Sequence, residues 1–73
     1  MFDGWKIEME AWQQRVIDEQ SELSSKIEKI LAFIGGKETA FASLETAEQD
    51  RLMRQMRIMT SYYDILDERI KHF

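Results

Sequence analysis

"TAEQDRLMRQMRIMTSYYDILDERIKHF", residues 46–73, carries two apolar seams on one uninterrupted segment. Leu52, Met59, Leu66 and Phe73 recur seven apart, and Met56, Tyr63 and Ile70 each follow by four. That is the spacing of a heptad seam, sustained over about three repeats. Ile58, Tyr62 and Ile65 form a second apolar row on a neighbouring face. One seam can pack on another helix of the same chain. Two seams need more helices than 73 residues provide, so the pattern predicts an oligomer of long helices. Thr46 followed three residues later by Gln49 has the form of a capping box, which predicts that this helix begins there.

Upstream, "WQQRVIDEQSELSSKIEKILAFIGG" spans residues 12–36. The apolar stripe Trp5, Met9, Trp12, Val16, Leu23, Ile27, Ile30 and Ile34 keeps helical spacing. A helix from near Asp3, an N-cap type, to Ile34 would be roughly 45 Å long. Gly35-Gly36 is expected to stop it with a positive-φ residue. Between the two helices, Ala40, Phe41 and Leu44 suggest a short helical turn packed over the end of the pair. The expected fold is therefore all-α: long N-terminal helix, short connecting helical turn, long C-terminal helix, assembling into a helical homo-oligomer. Residues 1–73 read as a single domain.

The composition removes several alternatives. With no cysteine there is no disulfide and no thiolate site, and His72 is the only histidine, so no metal is expected. A net charge of −4 opposes general DNA or RNA binding, which requires a broad basic surface. It leaves room for a small anion held by a few converging Arg and Lys. "MFDGWKIEME" lacks the basic start and apolar run of a signal peptide, and no stretch is long enough to span a membrane. The chain reads as cytoplasmic.

Enzyme signatures are missing. There is no glycine-rich phosphate loop, no zinc-spaced His-Glu pair and no GxSxG turn. Ser21, Ser24, Ser25, Ser43 and Ser61 lack a base at a readable spacing, so no catalytic residue and no cofactor is expected. What stands out is placement. Trp12, Arg15, Glu19 and Lys26 fall within roughly 60° of one another at 100° per residue, with Lys29 a little further round. On the last helix Arg51, Tyr62 and Arg69 share a flank with Ile58. An aromatic ring beside a cationic side chain can stack a base and pair a phosphate. The same residues also suit a plain helical seam, with Arg15 pairing to Glu19 and Lys26 to Glu22.

These residues carry a family resemblance as well. "QQRVIDEQSELSSKIEKILAFI" is followed by Phe41, Leu44, Glu48-Gln49, Leu52, Gln55, Met59, Tyr62 or Tyr63, Ile65-Leu66 and Arg69-Ile70. In this order and spacing the pattern resembles the second type of phage anti-CBASS protein, the cyclic-oligonucleotide sponge. The resemblance covers about residues 12–70. It implies a homohexamer that binds cyclic oligonucleotide signals without cleaving them, which blocks CBASS effector activation during infection. It implies two kinds of pocket between protomers. One takes cyclic dinucleotides such as 3′,3′-cGAMP, with Trp12 at a position where a Tyr is expected, and Lys26 or Lys29 as its phosphate lysine. The other takes cyclic trinucleotides, with Arg69 as its arginine. A structural helical oligomer, or an adaptor binding a partner helix along Met53, Met56 and Met59, is the competing reading.

Overall fold

The computed structural model describes residues 9–36 and 40–73. Two helices, α1 (Ala11–Gly35) and α2 (Thr46–Lys71), make up nearly all of it. They run antiparallel. Trp12 meets Phe73 at the open end, Gln20 Nε2 donates to Asp67 Oδ1 at 3.3 Å in the middle, and Phe33 meets Phe41 near the connector. At 1.5 Å per residue each helix is about 40 Å long, so the two match in length.

The packing follows the seven-residue rhythm of α2. Leu66 is 1% exposed, and it meets Val16 and Leu23 of α1, the other buried residues among those described. Ile27, Met59, Tyr63 and Ile70 are half-buried around them. The heptad seam of α2 thus points at α1, as its spacing predicts. Phe73 and Trp12 depart from the expected stripe. Both are more than 40% exposed, and each covers one edge of the other, with ring centroids 5.3 Å apart at 79°. They close the open end of the hairpin instead of entering the core. Met9 lies before α1 and is also exposed.

The helix ends differ from expectation in three places. First, α1 begins at Ala11: Glu10 has extended backbone (φ −64°, ψ 150°), and Gln13 Oε1 accepts its N–H at 2.9 Å. Asp3 and Trp5 lie outside the described residues. Second, α1 ends without a left-handed glycine. Gly36 has φ −67° and ψ 153°, so the chain leaves the helix in an extended conformation open to any residue. Gly35 is helical, with nothing within 4 Å of where a Cβ would sit. Third, the capping box at Thr46 does not form. Glu45 is the N-cap, and Gln49 turns its side chain the other way. Gln49 Nε2 faces the carbonyl oxygens of Phe41, Ala42 and Leu44 at 3.1, 3.3 and 3.2 Å. A primary amide has two N–H donors, so the three carbonyls share them. The connector needs those donors more than the helix start does, because its carbonyls have no ladder to join.

Residues 40–44 of the connector form a hydrogen-bonded turn and not a helix. Leu44 N–H donates to Phe41 O at 3.1 Å, and Ser43 Oγ donates to Ala40 O at 2.8 Å. Phe41 is half-buried, edge-on to Phe33 at 6.1 Å.

Candidate functional site

The buried residues define which way each helix faces, and the remaining positions follow from about 100° per residue. On α1, Val16 and Leu23 point inward. Gln20 and Ser24 lie to one side of them; Trp12, Arg15, Glu19 and Lys26 lie to the other. On α2, Leu66 points inward. Tyr63 and Asp67 lie to one side; Ile58, Tyr62, Ile65 and Arg69 lie to the other. Gln20 bonds Asp67, and Ser24 shares a groove with Tyr63, so those residues mark one common side of the hairpin. The two flanks picked out in the sequence therefore share the opposite side.

That side is rich in exposed apolar and basic groups. Ile58 is 70% exposed, Ile65 55%, Trp12 47% and Tyr62 42%. Arg15, Lys26, Lys29 and Arg69 are exposed. By the antiparallel register, Trp12, Arg15 and Arg69 gather near the open end. Lys26 is nearly level with Tyr62. Arg69 borders a shallow depression of about 340 Å³ with Ile65, Glu68 and His72. A second depression, of about 380 Å³, lies between Arg51, Arg54, Gln55, Ile58 and Met59. Each has an apolar floor; Glu68 and Arg69 share the rim of the first, and Arg51 and Arg54 border the second.

One expected partnership is separated by distance. Trp12 and Lys26 are fourteen residues apart on α1, about 21 Å along the axis. They share a flank, but within one protomer they do not share a pocket. The ion pairs weighed for the flank are also absent: neither Arg15–Glu19 nor Lys26–Glu22 is formed among the described residues. Ion pairs do form on α2. Arg51 Nε meets Glu48 Oε1 at 2.7 Å, Arg54 Nε meets Asp50 Oδ2 at 3.0 Å, and Lys71 Nζ meets Asp67 Oδ2 at 2.8 Å.

The other side holds what the sequence reading passed over. A groove of about 440 Å³ runs between Ile17, Gln20, Ser21, Ser24, Ser25, Glu28 and Tyr63. It adjoins another of about 290 Å³ bordered by Thr60 and Asp64. The signal was present as three serines at helical spacing, which carry no meaning until they are weighed as small side chains and not as nucleophiles. The Asp67 carboxyl beside this groove is held below its ordinary value by the hydrogen bond from Lys71 and then by that from Gln20. The same bond holds Lys71 above its own ordinary value.

The comparison that decides the family covers this whole arrangement. A family model described as Sequestin matches residues 10–72. The chain belongs to the Sequestin family. The Sequestin match contains both helices, the connector and every candidate residue named above. Its name denotes sequestration, a non-catalytic binding role, and agrees with the resemblance to the phage sponges. No curated protein matches the chain. No solved structure matches it. Among the described residues no group of three or more His, Cys, Asp or Glu could hold a metal ion. Nor is any helix among them long and apolar enough to cross a membrane.

Proposed function

We propose that this member of the Sequestin family binds and sequesters cyclic di- and trinucleotide second messengers, blocking CBASS effectors without cleaving the signal. Family membership carries this reading. The flank supports it chemically: Trp12 and Tyr62 offer faces for a base, and Arg15, Lys26, Lys29 and Arg69 offer charge for phosphates. The distance between Trp12 and Lys26 bears on assembly. A pocket that uses both must be completed by another protomer, which fits a homo-oligomer, the homohexamer implied by the resemblance. Symmetry then repeats each cation around a shared pocket, so an acidic protein can still hold an anionic ring. The proposed setting is the cytoplasm of an infected host cell. Polymeric nucleic acid and membranes are not proposed partners.

Calorimetry with 3′,3′-cGAMP and with a cyclic tri-adenylate tests the proposal. Heat is expected with at least one, and silence from a folded oligomer with both would overturn it. Protease digestion of the loaded protein should release the nucleotide intact; a linearised product would instead show cleavage.

A second reading rests on the 40% exposure of Met53, which suits an adaptable protein surface. Met56 and Met59 are half-buried on the inward seam, which weakens that reading. Light scattering separates the two, since an adaptor is expected as a dimer and a sponge as a larger assembly.

A further inference from the structure

We propose that Phe73 is a positioning residue for ligand binding: its ring braces the Trp12 indole and leaves one face open to a base. The proposal rests on the sequestration reading, in which Trp12 stacks a base of the cyclic nucleotide.

Trp12 stands where α1 does little to hold it. It is the second residue of α1, and a helical side chain leans toward the N-terminus, so no earlier turn of that helix lies beneath the indole. The buried core does not hold it either. Val16, Leu23 and Leu66 enclose one another further along the hairpin, and Trp12 keeps 47% of its surface exposed. Its aromatic contact is Phe73, with ring centroids 5.3 Å apart and planes at 79°. In an edge-on pair one ring points its rim at the other. Whichever ring does so here, at least one broad face of the indole is clear of Phe73.

Phe73 is itself held in place. It follows α2, and its N–H donates to Ile70 O at 3.1 Å. His72 N–H donates to Arg69 O at 3.1 Å, and His72 Nδ1 donates to Glu68 O at 2.8 Å. These bonds carry the turn past the last residue of the helix, so the Phe73 ring is presented from a fixed backbone. Both rings stay more than 40% exposed, so the contact supplies orientation more than burial.

A base that stacks on a loose indole must first immobilise it, and ordering a side chain on binding costs affinity. A ring braced beforehand avoids that cost. Arg15 comes three residues after Trp12 on α1, and Arg69 four before Phe73 on α2. Neighbours at these spacings share a helix face. The braced indole therefore has a cation from each helix on its side of the hairpin, suited to phosphate.

Calorimetry with 3′,3′-cGAMP and with a cyclic tri-adenylate tests this as a double-mutant cycle. Phe73→Leu keeps an apolar side chain but loses the flat ring. It should weaken binding by about two- to twelvefold, the worth of an aromatic pair. Phe73→Tyr should bind as the parent does. In a Trp12→Ala background Phe73→Leu should have no further effect, because Phe73 acts only through the indole. Unchanged affinity in Phe73→Leu would overturn the proposal. Tighter binding would overturn it as well, by making Phe73 a cover on the indole. An undiminished loss in the Trp12→Ala background would give Phe73 a direct or purely structural part, with the same result. Fluorine resonance of the 5-fluorotryptophan-labelled protein reads the brace without ligand. The chain has two tryptophans, and the signal absent from Trp12→Phe belongs to Trp12. Phe73→Leu should shift that signal and Phe73→Tyr should leave it near the parent's; a signal unmoved by Phe73→Leu would overturn the brace itself. Silence of the parent chain with both nucleotides would overturn the sequestration reading and this one with it. A binding parent indifferent to Phe73→Leu would overturn this inference alone.

Discussion

α2 presents two apolar rows that differ only in what covers them. The inward row, from Leu52 through Met59 to Leu66, is half-buried or buried against α1; the outward row, Ile58, Tyr62 and Ile65, is 42–70% exposed. The residue types are similar, so hydrophobicity alone does not say which row is the core. Position relative to α1 does. The hairpin consumes one row and leaves the other exposed.

The sharpest way to break that comparison is to remove Leu66, the one side chain fully enclosed among the described residues. Leu66→Ala should cost about 2–5 kcal/mol, the range for a buried leucine truncation. Chemical denaturation followed by circular dichroism would measure it, and a smaller loss would mean that the inward row is not the organising core. The outward row calls for a different readout. If association supplies much of the stability, the thermal midpoint rises with protein concentration. Ile58→Ala should lower that midpoint most in dilute solution, and a midpoint independent of concentration would assign the stability to the hairpin alone.

The flank comes next. Stacking on an aromatic ring is worth about 1–3 kcal/mol per base, so Trp12→Ala should weaken cyclic-nucleotide binding by about five- to 150-fold. Lys26→Ala should weaken it without changing assembly. Titration of both variants beside light scattering would show whether the flank binds ligand or only packs.

The smallest effect concerns pH. The hydrogen bond from Lys71 lowers the Asp67 pKa from the ordinary 3.8. A carboxyl that ionises more readily when folded contributes stability above that ordinary value and loses it as pH falls through the folded one. Lys71 is raised from 10.5 by the same bond, so its contribution is present below that value and lost as pH rises through the folded one. Between these limits the pair adds no pH dependence. Both groups are exposed, so the effect is modest. Asp67→Asn should flatten the acid limb of a stability profile, and an unchanged limb would remove the pair from the account.

Much of the fold was legible because spacing is a direct consequence of helical geometry. The steps of seven and four placed Leu66, Met59 and Tyr63 on the inward seam without reference to any partner. What misled was local end chemistry. Thr46 and Gln49 match a capping box, but the carbonyls of Phe41, Ala42 and Leu44 compete for the same amide and take it. Gly36 matches a left-handed stop, but the chain leaves α1 extended. Trp12 was read both as stripe and as flank. It is half-exposed, because the open end of a two-helix hairpin covers only one side of an indole. The site was less legible than the fold. Spacing identified a basic-aromatic flank and a second apolar row, but periodicity does not say what covers either of them.

Gly35 has a consequence for how much stability the monomer holds in reserve. It sits in ordinary helical backbone with open space around its missing side chain. Alanine there should add about 0.5–1 kcal/mol, since glycine in a helix is entropically costly. Gly35→Ala would therefore raise the stability of the hairpin while leaving the flank residues Trp12, Arg15, Lys26 and Arg69 as they are.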